Sequence, residues 1–156
     1  MRPFRNEPRA WLPARRSVFN PIVDEANADS LELAFAAFLD TAPDVQAFGK
    51  NCMALGFRID YVRVGGELSS YTPDFIALTI DGAVWIVETK GRLELDLPRK
   101  MARLRQWCAD ASAASAEAGG PRYGLVYVDE EGFQEHKPGS FAGLLSSFRE
   151  YQETPA

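Results

Sequence analysis

The stretch Tyr71-Thr72-Pro73-Asp74-Phe75-Ile76-Ala77-Leu78-Thr79-Ile80-Asp81-Gly82-Ala83-Val84-Trp85-Ile86-Val87-Glu88-Thr89-Lys90-Gly91 decides how the rest of the chain is arranged. Pro73 to Ile80 and Ala83 to Glu88 are β-branched, apolar runs joined by Asp81-Gly82, a residue pair that favours a hairpin turn. Val84-Trp85-Ile86-Val87 is continuously apolar, which suits a central strand covered on both faces, and Gly91 closes it. Glu88 and Lys90 end this strand on one face, because side chains alternate along a strand. A strict Asp81-Gly82 turn would pair Phe75 with Glu88 and put Asp74 on the other face. A longer loop or a bulge shifts the pairing by one and brings Asp74 across from Lys90, and we expect that irregularity.

Working outward, Asn27 to Asp40 reads as a helix, with Leu31, Ala34, Phe35, Phe38 and Leu39 on one face and Asp29 or Ser30 as cap. Phe57 to Val64 alternates and reads as a strand ended by Gly65-Gly66. Downstream, a helix runs from about Leu97 to Glu117, with Asp96 as cap, Pro98 in its first turn and Gly119-Gly120 at its end. Its buried stripe is Met101, Leu104, Cys108 and Ala111, with Trp107 turned toward it. Tyr123 to Val128 reads as a strand and Phe141 to Gln152 as a shorter amphipathic helix. A helix between the third and fourth strands implies a parallel, right-handed crossover. The fold expected is therefore α/β, a mixed four-stranded sheet flanked by helices. Residues 1–20 form a basic lead-in, either a solvated segment or a DNA-contacting arm; residues 21–135 form the core, and 136–156 carry a helix that packs on it.

With 156 residues, 46% of them hydrophobic, the chain holds one domain and excludes a nuclease fused to a motor. The balance of 22 acidic against 17 basic residues argues against a coat-like nucleic-acid binder but not a site-specific one. His136 and the cysteines Cys52 and Cys108 lie too far apart to suggest a four-ligand zinc site. His136 reads as a surface residue in a loop. Catalysis must then rest on carboxylates, lysine or hydroxyls. Two widely spaced cysteines fit a reducing compartment, and without an apolar leader or span the expected location is cytoplasmic, with no membrane partner.

The polar residues that interrupt the apolar plan carry the chemistry. Asp74, Glu88 and Lys90 converge at one sheet edge, where two carboxylates and a lysine can hold a hard divalent cation and an attacking water. Glu32 falls only about 20° from Leu39 on the first helix, at 100° per residue. It borders the buried stripe, where a helix packed on the sheet could reach the metal. Crowded carboxylates repel unless a cation sits among them. Arg99 and Arg103 share one side of the second helix, with Gln106 nearby; together with Arg92 and Lys100 they could contact phosphates, or form a solvated basic face. Phe48, Tyr61 and Tyr71 read as packing residues.

Pro73-Asp74 followed by Glu88-Thr89-Lys90 resembles the PD-(D/E)XK nuclease motif, with Glu32 at the position of that family's first-helix acid. The resemblance extends through Val18-Phe19-Asn20-Pro21-Ile22, Leu31-Glu32, Phe35, Phe38-Leu39, Asp44-Val45, Lys50-Asn51, Tyr61, Tyr71-Thr72-Pro73-Asp74-Phe75, Glu88-Thr89-Lys90-Gly91, Pro98-Arg99-Lys100 and Trp107-Cys108. Over residues 17–135 it is most similar to the C-terminal endonuclease domain of type III restriction enzyme Res subunits. It implies a restriction-endonuclease-like αβββαβ core and Mg2+-dependent hydrolysis of double-stranded DNA, with Mn2+ able to substitute. It implies metal ligation by Asp74, Glu88 and the Thr89 carbonyl, water activation and charge stabilisation by Lys90, and action of Glu32 through a water on the metal.

Two departures bound the resemblance. The chain has no Gly-x-x-x-x-Gly-Lys-Ser/Thr phosphate loop, so motor-driven cleavage implies a helicase or translocase and modification subunits in the same complex or a longer chain. The glutamine–tyrosine pair of some exonuclease branches is incomplete: Gln106 is present, but Asp110 stands where the tyrosine would. Double-strand cleavage would need two sites, hence a homodimer or a second complex. Two other readings stay open: a non-catalytic DNA-binding or assembly module, and a stand-alone nuclease of another repair or defence system.

Overall fold

The computed structural model describes residues 11–19, 22–23, 31–51, 55–90 and 95–148, with only the backbone of residues 11, 23 and 90. Twelve elements follow in order: β1 (Trp11–Leu12), β2 (Ile22–Val23), α1 (Leu31–Thr41), β3 (Val45–Lys50), β4 (Ile59–Val62), β5 (Leu68–Tyr71), β6 (Phe75–Thr79), β7 (Val84–Lys90), α2 (Leu97–Glu117), β8 (Tyr123–Asp129), α3 (Glu130–His136) and α4 (Phe141–Ser147). The main sheet has four strands in the order β3-β6-β7-β8. β3, β6 and β7 pair antiparallel, and β7 pairs parallel with β8 across the α2 crossover. The fold is α/β, a mixed sheet flanked by helices, as the apolar run in β7 requires.

Each face of the sheet has its own core. Phe35, Ala36 and Leu39 of α1 pack with Phe48, Phe75, Ala77, Val87, Val126 and Val128 on one face, joined by Phe141 and Leu144 of α4. On the other, Leu97, Met101, Leu104 and Cys108 of α2 pack with Ile59, Tyr61, Tyr71, Ile86 and Tyr127. Trp107 packs at the edge of this second core, edge-to-face with Phe57 and Tyr123. Ala111, expected in the α2 stripe, is only half-buried. α4 is anchored by Asp44, whose carboxylate accepts from the amides of Phe141 and Ala142 at 2.7 and 2.8 Å.

The first strand of the sheet corrects the sequence expectation. Phe57 to Val64 was expected there; instead Ile59–Val62 pairs with Leu68–Tyr71 in a separate two-stranded ribbon, and Val45–Lys50 takes the place beside β6. β3 is disguised in the sequence by an irregular register between Val45 and Ala47 and by Gly49, where a Cβ would lie 3.0 Å from Val18. Arg16-Ser17-Val18 runs along that edge, with Val18 N–H donating to Phe48 O at 2.8 Å and Phe48 N–H to Arg16 O at 3.0 Å. The Arg16 guanidinium donates to the carbonyls of Ala42 and Val45. The described part of the basic lead-in thus pairs along the sheet edge, with Ala14 buried but Val18 and Phe19 exposed, and Arg16 caps the α1–β3 turn; residues 1–10 lie outside the described part.

The helix ends hold three further differences. Asp96 precedes α2 without a side-chain cap bond; its carboxylate instead takes the Val64 amide at 3.0 Å and the Arg63 guanidinium at 3.2 Å. Pro98 removes one of the two amides a cap would serve, and Asp96 has a helical backbone (φ −87°, ψ −2°) and not the extended one of a cap. His136 lies not in a loop but at the end of α3, a helix started by Asp129, which accepts from Gly132 N–H at 2.7 Å. The start expected for α1 at Asn27 and its caps Asp29 and Ser30 fall outside the described residues; α4, expected to reach Gln152, instead ends at Ser147, where Phe148 leaves the helical conformation as its C-cap. No described helix is long and apolar enough to cross a membrane.

Candidate functional site

The β6–β7 hairpin does not follow the two-residue register. Phe75 pairs with Val87 and Leu78 with Val84, and Thr79 N–H bonds Ala83 O at 3.0 Å around a loop of residues 80–82. Gly82 supplies the left-handed residue of that loop at φ 81°. The expected irregularity is present, but it runs in the opposite sense. Extending the Phe75–Val87 pairing by one position sets Asp74 across from Glu88, where we had expected Lys90. Glu88 continues the α2-side row of Val84 and Ile86 and is 2% exposed.

Asp74 is held tightly. Its N–H bonds Val87 O at 3.0 Å, and its carbonyl accepts from Asn51 N–H at 2.7 Å. Its Oδ2 accepts both the Thr89 amide and the Thr89 hydroxyl, each at 2.7 Å. Thr89 therefore fixes the carboxylate's orientation with two donors from β7. Asn51, 8% exposed, donates from Nδ2 to Pro73 O and Phe57 O, both at 2.8 Å, and so clamps the turn that presents Asp74. Sequence reasoning gave Asn51 no role. No local signal marks it, since its side-chain partners lie 6 and 22 residues further along the chain.

On the other face, Glu32 at the start of α1 forms an ion pair with Lys50 at 2.8 Å. Lys50 pairs in register with Phe75, next to Asp74, so Glu32 does face the sheet at this end, as its helical angle indicated. It is nevertheless engaged with a lysine. Among the described residues no group of three or more His, Cys, Asp or Glu side chains is placed to hold a metal ion. The structure sets Asp74 opposite Glu88 and leaves Glu32 apart. Lys90 ends β7, in register with Asp129; its side chain lies outside the described part.

Tyr71 completes the surroundings. It is 7% exposed at the end of β5, edge-to-face with Tyr61 at 6.0 Å, and Lys100 lies over both rings at 5.6 and 5.8 Å. Burial pushes its phenol far above the ordinary value, and the charges of Glu88 and Asp74 push it further, so it stays protonated. Cys108 beneath it is likewise a neutral thiol, pushed up to about 11 by burial.

The DNA-contact candidates are spread along α2. Arg99, Arg103 and Gln106 are exposed, Gln106 bonding Asp110 Oδ1 at 2.8 Å, while Lys100 is half-buried over the two tyrosines; Arg92 lies outside the described residues. A cavity of about 390 Å3 between α1 and α3 is lined by Leu31, Phe38 and Phe133 and includes neither Asp74 nor Glu88. Comparison with family models, with curated proteins and with solved structures gives no match in any of the three.

The donor set at the β6–β7 end suits a hard divalent cation. Two carboxylates oppose one another, and one is nearly sealed from water, where an ionised group needs compensating charge.

Proposed function

We propose that this chain is a Mg2+-dependent endonuclease domain of the PD-(D/E)XK type, acting on DNA phosphodiesters in the manner of type III restriction Res subunits. The observation that carries this reading is the shifted hairpin register, which sets Asp74 across from the buried Glu88. An unbroken two-residue register would have removed Asp74 from that face.

The residues divide the work as follows. Asp74 and Glu88, with the Thr89 carbonyl, hold the cation; Mn2+ substitutes for Mg2+. When bound, Mg2+ supplies charge neutralisation at the phosphate and acidifies the attacking water. Thr89 keeps Asp74 aimed by its two bonds. Lys90 supplies the positive charge that orients water and stabilises charge developing on the phosphate. Arg99, Lys100, Arg103 and Gln106 of α2, with Arg92 ahead of it in the chain, contact DNA phosphates. A helicase or translocase and modification subunits bring the domain to DNA in the cytoplasm, and a homodimer or second complex supplies the cut on the other strand. A stand-alone nuclease of another repair or defence system would use the same residues.

One observation favours a second reading, a DNA-binding or assembly module without activity: Glu32 is tied to Lys50 and not gathered with the other acids. Plasmid nicking in Mg2+ separates the two. Under the nuclease reading wild type nicks, and Asp74→Ala and Lys90→Ala do not. Equal nicking by both variants sinks the catalytic assignment, and DNA binding without nicking by wild type supports the module. Single-stranded, double-stranded and RNA substrates in the same assay separate restriction-like from other nucleases.

A further inference from the structure

Among the described residues, the Tyr71 hydroxyl is a buried oxygen with no hydrogen-bond partner. That is unusual for tyrosine, whose hydroxyl normally finds a partner when its ring is buried. A phenylalanine would fill the same space between Ile59, Tyr61, Ile86 and Met101 without leaving a donor unused. The ring has little room to swing its oxygen into water. Tyr61 packs edge-to-face on it, and Lys100 covers both rings from outside. Tyr71 ends β5 just before Pro73-Asp74, packs in the same core as Ile86 on the sheet face that carries Glu88, and lies within reach of the charges of Glu88 and Asp74.

We propose that Tyr71 is a positioning residue of the Asp74–Glu88 pair, its hydroxyl donating to the Glu88 carboxylate when a divalent cation is bound. This rests on the cation-holding role proposed above. The chemical reason is the donor's neutrality. A lysine or arginine in this pocket would orient Glu88 equally well but would repel the cation that the carboxylates are there to hold. A phenol orients without competing, as outer partners of metal-ligating carboxylates do. Tyr71 touches neither cation nor substrate and acts only through Glu88.

Tyr71→Phe keeps the ring and removes the hydroxyl alone. Mn2+ affinity is measured by calorimetry on the full chain, and Tm is read with and without Mg2+. Mn2+ affinity is expected to fall about tenfold. Without cation, the variant's Tm equals or exceeds that of wild type, because the deleted hydroxyl had no partner to lose. Mg2+ then raises Tm less in the variant than in wild type. Tyr61→Phe, on the neighbouring ring, binds Mn2+ as wild type does. A purely packing role gives the reverse pattern, a lower cation-free Tm with unchanged Mn2+ affinity, and overturns the proposal. If Tyr71→Phe does not fold, the wild-type near-UV difference spectrum decides: Mg2+ must perturb a tyrosine band, and an unperturbed spectrum overturns the role. Wild type that binds neither Mn2+ nor Mg2+ overturns the cation reading itself; equal binding by wild type and Tyr71→Phe overturns only the part assigned to Tyr71.

Discussion

Thr89 gives its backbone N–H and its hydroxyl to the same oxygen of Asp74, each at 2.7 Å. The backbone bond follows from β7 ending beside the Pro73-Asp74 turn, but the hydroxyl bond depends on residue 89 being Thr or Ser. Thr89→Val preserves shape and removes only that donor. It is expected to cost about 1.5–3 kcal/mol in chemical denaturation, the range for a hydrogen bond to a charged group. Nicking should fall about tenfold, since Asp74 keeps its place and loses part of its aim. Thr89→Ser should restore nicking; failure to do so would assign the loss to packing.

Glu32 and Lys50 form an ion pair at this end of the sheet, with side-chain exposures of 33% and 16%. Partial solvation limits its worth to about 1 kcal/mol or less. Glu32→Gln should therefore shift the denaturation midpoint slightly and lower nicking no more than about fivefold, the rate equivalent of that energy. Glu88→Gln should abolish nicking. Complete loss in Glu32→Gln, with its stability retained, would promote Glu32 from a partner of Lys50 to a member of the cation site.

How far the sequence could be read depends on whether a signal was local. β7 was legible because four consecutive apolar residues need burial on both faces, and α2 because Leu97, Met101, Leu104 and Cys108 recur at helical spacing. The register shift was legible as a requirement: only an irregular hairpin could bring Asp74 to the Glu88 face. Its sense was not, because a third loop residue taken from either strand restores the face equally; the structure takes it from the first, with Gly82 left-handed in the loop 80–82. β3 was hidden by its irregular register and Gly49, while the stronger alternation of Phe57 to Val64 belongs to a ribbon that pairs outside the main sheet. The partners of Glu32 and Asn51 depend on chain segments distant in sequence, and no spacing rule reaches those.

Asp81 ties the same hairpin to pH. Its carboxylate accepts from the Thr79 hydroxyl and from the Ala83 amide, and these bonds hold its pKa below the ordinary value of 3.8. A depressed folded-state pKa contributes stability that is full above the ordinary value and lost as pH falls through the lowered one. Asp81→Ala should therefore be less stable than wild type at neutral pH, by a small amount because the group is exposed. The two melting curves should converge below about pH 3.8. A difference that persists unchanged into acid would show that the turn's backbone, not the ionised carboxylate, carries the effect.

Gly124 sits beside Trp85 in the parallel β7–β8 pair, and a Cβ there would lie 2.5 Å from the indole ring. The ring cannot yield easily. It packs on Phe141 at 5.8 Å, and the Arg122 guanidinium lies 5.5 Å from its centre. Gly124→Ala should thus cost about 1–3 kcal/mol by overpacking, although alanine lowers unfolded-chain entropy and would stabilise an open position. The double variant with Trp85→Leu should recover most of that loss relative to Trp85→Leu alone, because the smaller side chain leaves space for the methyl. Additive losses in a denaturation cycle would mean that residue 124 must be glycine for its backbone and not for the indole. Since this contact lies at the opposite end of β7 from Glu88, Mn2+ affinity in Gly124→Ala should match wild type, separating the stability of the sheet from the chemistry at its edge.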